Sequence, residues 1–289
     1  MSLMCILIVG IDPGTAYLLK KIERPMFVPH LWLAQTNQRP DRYSGDCNRI
    51  RRRRIERYVN IGIIGAGNIG GALVRRFRAA GHEVAVANSR GPESLGDLAR
   101  ETGATAVSVR DAAHGRDLVV VTIPMKHIEE LPRDLFADAP RDLVVIDTNN
   151  YYPRHRDGLI AGIEDGSTES RWVEGQFGHP VVKAFNNIYA LHLQENGKPA
   201  GSPGRIALPV AGDDAAAKAI VMRLVDEIGF DAVDAGTIDE SWRQQPGTPA
   251  YGMDFDRAKL VAALGESKHE RTDEWRATEK SPGTYDSPR

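Results

Sequence analysis

The feature that most restricts what this chain can become is the run Ile61-Gly62-Ile63-Ile64-Gly65-Ala66-Gly67-Asn68-Ile69-Gly70-Gly71, an apolar strand that enters a G-x-G-x-x-G turn and then an amphipathic helix. Each glycine has a physical reason in that setting. Gly65 permits the tight turn, Gly67 lets backbone approach a diphosphate, and Gly70 lets the helix pack closely on the strand. Unpaired N–H groups and the positive end of the helix dipole would then meet the phosphates. Ala66, Asn68 and Ile69 complete the candidate phosphate turn. The same glycines could serve any tight strand-to-helix connection; the strand before them and the helix after them are what point to a dinucleotide.

From Asn60 onward, apolar strand-like runs alternate with helical periods. Strands are expected over residues 59–64, 83–87, 105–107, 118–122, 143–147, 181–185, 208–211 and 231–234. Helices are expected over 68–80, closed by Gly81, over 92–102, and over 213–228, started by Asp213 and Asp214 and closed by Gly229. Residues 148–168 read as a polar loop. Continuous apolar runs mark strands buried on both faces. The expected class is therefore α/β: a Rossmann-type, doubly wound, mostly parallel sheet with helices on both faces. This NADP-binding domain is assigned to residues 58–252. Residues 253–289 are expected to form one amphipathic helix, over 255–264, and a flexible polar tail.

Residues 1–57 read as different material. They hold eleven Lys and Arg against five Asp and Glu, a local excess of +6 in a chain whose formal net charge is −2. Scattered prolines and the run Arg49, Arg51, Arg52, Arg53, Arg54 carry no helical or strand period, so the segment is expected to be a poorly ordered basic arm. Without a folded scaffold or interleaved aromatics, such a run reads as a solvated tail rather than a nucleic-acid site. Val59, just before the first regular strand, reads as an alternative translation start. Both cysteines, Cys5 and Cys47, fall in the arm, so the remaining chain can form neither a disulfide nor a thiolate metal site. No stretch approaches the roughly 18 apolar residues of a membrane span. A cytoplasmic protein with no membrane or nucleic-acid partner is expected.

The end of the second strand decides which dinucleotide fits. An NAD enzyme places Asp or Glu there for the ribose 2′-hydroxyl, whereas this chain reads Asn88-Ser89-Arg90. No carboxylate stands against a 2′-phosphate, Ser89 can donate to it, and Arg90 can pair with it, so NADP(H) is the expected cofactor. Thr122, Ile123 and Pro124 end the fourth strand, where the loop passes beside the cofactor's ribose and nicotinamide. Asn149, with Asn150, follows strand five, and Asn186 and Asn187 follow strand six. Carboxyl ends of strands are where open α/β sheets bind ligands, although an Asn pair serves equally as a turn or a cap.

Taken together, Gly65-Ala66-Gly67-Asn68-Ile69-Gly70, Asn88-Ser89-Arg90, Thr122-Ile123-Pro124, Val182-Lys183-Ala184-Phe185-Asn186, Val210-Ala211-Gly212-Asp213-Asp214 and Val233-Asp234-Ala235-Gly236 make the chain resemble the family of coenzyme F420-dependent NADP reductases, related to the oxidoreductase domain of STEAP-type metalloreductases. The resemblance spans residues 60–249. It implies hydride transfer between NADPH and a second redox cofactor or small-molecule acceptor, a deazaflavin such as F420 or a flavin, with residues around Asn186, Asn187 and Ile188 facing the second ring. It also implies a homodimer. Such chemistry needs alignment and exclusion of water more than an acid or base, so no catalytic residue is assigned. His127, His155, His179 and His192 lack metal-ligand spacing, no metal site is expected, and Lys183 reads as structural. The alternative is a non-catalytic NADPH-binding sensor or interaction module.

Overall fold

The computed structural model describes residues 59–278. The basic arm, the cysteines within it and the last residues of the tail lie outside that range. Six strands form a parallel sheet in the order β3-β2-β1-β4-β5-β6, with β1 Asn60–Ile64, β2 Glu83–Ala87, β3 Thr105–Ala106, β4 Leu118–Val121, β5 Val144–Asp147 and β6 Val182–Lys183. β1 lies between β2 and β4, pairing Ile64 with Ala87 on one side and with Val121 on the other. The strand order reverses between β1 and β4, and a crevice opens at the carboxyl ends of strands at such a point. This is the Rossmann-type arrangement that the alternation predicted.

Helices cover both faces because the strands are apolar on both. Ile61, Ile63, Val86, Val120 and Ile146 share one buried cluster with Leu73, Val74 and Phe77 of α1, Asn68–Ala79. Ile64, Val119, Val121 and Val145 face the opposite way. They pack with Ala112 and Ala113 of α3, Val109–Ala113, and with Val173 and Phe177 of α5, Glu169–Phe177. Between β2 and β3 the expected helix is split into a 3-10 turn, Pro92–Leu95, and α2, Gly96–Thr102.

Three expectations are corrected. The alternation does not extend the sheet to eight strands: β7, Ala207–Val210, and β8, Asp231–Asp234, pair with each other as a separate parallel ribbon. Among the described residues, a single antiparallel bridge, Lys183 to Ala211, joins the start of that ribbon's following turn to β6. β6 itself is short because Phe185, read as strand, has φ 62. The polar loop at 148–168 contains α4, Ala161–Glu164, and α5 follows it unread, started by Thr168 accepting from the Arg171 N–H and stopped by Gly178 in the left-handed region. Its inward face carries Glu169 and Ser170, which hides the apolar period.

The tail to residue 278 is held against the domain. After α8, Arg257–Glu266, Ser267 Oγ donates to the Arg243 carbonyl, Arg271 pairs with Glu169, and the Ala277 N–H donates to Glu164. Two elements complete the order: α6, Ala190–Glu195, and α7, Ala215–Glu227, which packs between β7, β8 and β6.

Candidate functional site

The structure bears out the turn-forming role of Gly65 and the packing role of Gly70, and leaves Gly67 beside open space. Gly65 has φ 110, and a Cβ there would overlap the Thr122 carbonyl at the end of β4. A Cβ on Gly70 would overlap the Gly65 carbonyl, so only glycine lets α1 begin this close to β1. A Cβ on Gly67 would meet nothing within 4 Å, which leaves that side of the turn open. Gly67 is the N-cap of α1, contributes no side-chain cap, and is followed by no acidic residue in the first turn. The first N–H groups of α1 are therefore not taken up by a side-chain cap, the arrangement that lets a helix N-terminus accept an anion.

Beside that turn lies a cavity of about 630 Å³ whose walls include Gly67, Asn68, Gly71, Arg90, Leu95 and Leu191. Of the three residues read at the end of β2, the structure separates the roles. Asn88 folds the turn, its Oδ1 accepting the Arg90 N–H at 2.9 Å and its Nδ2 donating to Ser94 Oγ at 2.8 Å. Ser89 and Arg90 are exposed, and among the described residues the Arg90 guanidinium has no ion-pair partner. Ser94 is a cavity residue that motif reading did not find, because its place depends on the Asn88 contact. Acidic groups on the cavity wall are neutralised: Glu101 is held below the usual carboxylate range by its hydrogen bond to Arg75, 2.6 Å away, and Asp97 pairs with Arg100.

Across the switch point, the β4 loop is fastened to β5. The Ile123 N–H donates to Asn149 Oδ1 at 2.9 Å, and Thr122 is packed against the glycine turn. Pro124 caps the short 3-10 turn Met125–Glu130. Beneath this junction, Asp147, Glu169 and Lys183 are fully buried together, and burial pushes the Glu169 carboxyl up. No sequence pattern marked this group, whose members come from β5, α5 and β6.

The two Asn pairs divide. Asn186 is consumed within the protein: its Nδ2 donates to Asn150 Oδ1 at 3.1 Å and to the Gln244 carbonyl at 2.7 Å, while its Oδ1 accepts from Gln244 Nε2 at 2.9 Å. Asn150 likewise bonds to the Asn186 carbonyl and to Tyr251 Oη. Both fasten residues 242–252 over the end of β6. Asn187 is different. It is 1% exposed, and both polar atoms of its side chain are buried without a partner among the described residues. Asn149 Nδ2 is in the same condition. A buried primary amide with unmade hydrogen bonds carries a cost of about 1–3 kcal/mol, and such groups call for a ligand or a bound water. The turn that presents Asn187 is strained, since a buried Phe at φ 62 lies in a region side chains avoid.

Among the described residues, no group of three or more His, Cys, Asp or Glu is placed to hold a metal, and no helix is long and apolar enough to cross a membrane.

Comparison with known proteins agrees with this geometry. The Escherichia coli (strain K12) protein YjhV is 47% identical over 76 residues, which cover 26% of this chain and 56% of that protein, so the chain spans about half the length of this curated relative. The crystal structure of SMa0349 from Sinorhizobium meliloti is 31% identical, covers 68% of this chain and 94% of its own, and superposes with a TM-score of 0.58. A protein described as an F420-dependent NADP-reductase from Arthrobacter sp. FB24 shares the fold at 24% identity and a TM-score of 0.51, over 62% of this chain and 86% of its own. The family model for NADP oxidoreductases, coenzyme F420-dependent, matches residues 60–151, which run from β1 through the glycine turn to the residues after β5. Residues 60–151 match this family of NADP oxidoreductases, and the chain belongs to it.

Proposed function

We propose that this protein binds NADPH across the β1–β4 switch point and passes a hydride to a planar heterocyclic acceptor, a deazaflavin of the F420 type or a flavin. The observation that carries the reading is the uncapped N-terminus of α1 opening on a cavity that also contains the unpaired Arg90. The diphosphate would lie on the N–H groups of residues 68–70, and the 2′-phosphate against Ser89 and Arg90. The nicotinamide half would then extend toward Thr122, Ile123, Pro124 and Asn149, with Asn187 beyond β5.

Bound NADPH supplies two electrons as a hydride, which leaves NADP⁺ and a reduced acceptor that takes any further proton from water. The protein's part is alignment and exclusion of water. Ile123 and Pro124 form an apolar wall on the β4 side, and residues 242–252 cover the end of β6 through Gln244 and Tyr251. Near Asn187, Tyr189 is 62% exposed and lies against Gly252, whose N–H donates to the Asn187 carbonyl. An apolar ledge beside a dinucleotide crevice suits a flat acceptor ring. As in the family, a homodimer is part of this proposal.

The test has two steps. Calorimetry is expected to show NADPH bound more tightly than NADH, and Arg90→Ala is expected to weaken NADPH by about ten- to a hundredfold, the worth of a charge-assisted hydrogen-bonded pair, while leaving NADH within about twofold. Oxidation of NADPH is then followed at its near-ultraviolet absorbance with F420, FMN and a ferric chelate as acceptors. Tight NADPH binding with no turnover by any of them would move the reading to a non-catalytic NADPH sensor.

A further inference from the structure

Lys183 sits among charges that hydride transfer does not use. Its ammonium and the carboxylates of Asp147 and Glu169 are all at 0% exposure, with Nζ 3.5 Å from Asp147 Oδ2 and 3.5 Å from Glu169 Oε2. Arg271 brings a second positive charge, its Nη2 2.7 Å from Glu169 Oε1, and Ser170 Oγ donates to Asp147 Oδ2 at 2.5 Å. Two carboxylates face two cations, yet burying Lys183, Asp147 and Glu169 costs more than filling the same volume with apolar side chains. Besides pinning the tail through Arg271, the group holds one residue beside the crevice.

That residue is Asn149. Lys183 Nζ donates to its main-chain carbonyl, Asp147 Oδ1 accepts its N–H at 3.0 Å, and the Ile123 N–H donates to its Oδ1 at 2.9 Å. A main-chain N–H can only donate, so the atom facing Ile123 is the amide oxygen and the orientation of the amide is settled. What remains is Nδ2, buried and without a partner among the described residues. It stands where β4 and β5 end, on the opposite side of the switch point from Arg90.

We propose that Lys183 is a positioning residue, which fixes Asn149 so that its Nδ2 donates to an oxygen of the nicotinamide half of the dinucleotide, either the carboxamide oxygen or a ribose hydroxyl. This rests on the NADPH reading of the site. Lys183 touches no ligand; it acts through the Asn149 peptide.

Binding of three ligands to the full chain separates the possibilities: NADP⁺, 2′-phospho-ADP-ribose, which lacks the nicotinamide ring, and adenosine 2′,5′-bisphosphate, which lacks the whole nicotinamide half. Asn149→Ala is expected to weaken NADP⁺ about tenfold and to leave adenosine 2′,5′-bisphosphate within about twofold. If the acceptor is the ribose, 2′-phospho-ADP-ribose weakens with NADP⁺; if it is the carboxamide, that ligand is unaffected. Lys183→Met is expected to give the same ligand pattern, and the double variant to be no more than about twofold weaker than Lys183→Met alone, since both changes remove one donor. Where circular dichroism shows Lys183→Met unfolded, Lys183→Arg, which keeps the charge and alters the reach, takes its place in the cycle. Unchanged NADP⁺ binding in Asn149→Ala, equal weakening of all three ligands, or full additivity in the double variant overturns the inference. A wild-type chain that binds none of the three removes the NADPH reading itself.

Discussion

Two of the strand–turn–helix–strand units among the described residues begin their helices in opposite ways. In the first, β1-α1-β2, Gly67 caps α1 with no side chain, and the leading N–H groups face an open cavity. In the second, β7-α7-β8, Asp214 caps α7 by accepting from the N–H groups of Ala216 and Ala217 at 2.7 and 3.1 Å. The second unit spends its other charges internally as well: Lys218 pairs with Asp234, and the buried Arg205 bridges Asp226 and Asp231. One helix N-terminus is satisfied by a side chain of the protein itself, and the other has no side-chain cap. The backbone plan is shared; a carboxylate at the cap position separates the two units, and on the proposed function it separates a structural unit from a binding one.

The most severe way to break this contrast is to give the turn of each unit a Cβ. Gly70→Ala is expected to force α1 off the Gly65 carbonyl, costing about 2–4 kcal/mol of stability and abolishing NADPH binding, as read by thermal melts and calorimetry. Gly212→Ala meets only the Val182 Cγ2 at 3.2 Å, an apolar side chain that can yield, and is expected to cost under about 1 kcal/mol.

Moving the cap tests the contrast directly. Gly67 has φ −75 and ψ −161, backbone that any residue adopts, so Gly67→Asp can install in α1 the carboxylate that α7 carries. NADPH binding is expected to fall at least about a hundredfold by calorimetry, through occupied donors and charge repulsion, while stability stays level or rises by a few tenths of a kcal/mol. A variant that still bound NADPH normally would show that the α1 N-terminus is not the diphosphate site. The reciprocal change, Asp214→Ala, is expected to cost about 1 kcal/mol in urea unfolding and to leave NADPH affinity within about twofold.

The smallest effect concerns the contact between the units. His82, buried at the start of β2, accepts the Val59 N–H at Nδ1 and faces Glu227, at the end of α7, through Nε2 at 3.2 Å. Burial lowers its pKa below the ordinary 6.5, with Glu227 opposing part of that shift. In the folded state His82 therefore binds a proton less readily than in the unfolded chain, so stability is full above about pH 6.5 and declines as the pH falls below it. A loss of stability between pH 7.5 and 5.5 is expected, and His82→Gln should flatten that part of the profile. A wild-type profile rising toward acid would contradict this account.

Much of the site was legible from local pattern. The strand, the three glycines and the first helix were readable because each depends on residues adjacent in the chain, and Asn88-Ser89-Arg90 were singled out by their place at the end of the second strand. The division of labour within those three residues was not readable, since Asn88 folds the turn only by meeting Ser94. Asn186 and Asn187 looked alike in sequence; one is consumed by Gln244, 58 positions away, and the other is left with its amide unpaired. Helix α5 escaped because the residues it buries include a carboxylate and a hydroxyl, whose partners lie on β5, β6 and in the tail.

What the sequence determined by itself was the alternation of strands and helices from β1 to β5, the parallel sheet and the glycine turn, all consequences of short-range periodicity and of glycine's freedom at one bend. Only the tertiary structure decided that β7 and β8 form their own ribbon, that the tail to residue 278 is pinned by Arg271, and that Asp147, Glu169 and Lys183 close around Asn149. The physical reason is that hydrogen bonds and ion pairs between distant segments depend on which groups burial brings within about 3 Å, and periodicity along the chain carries no record of that.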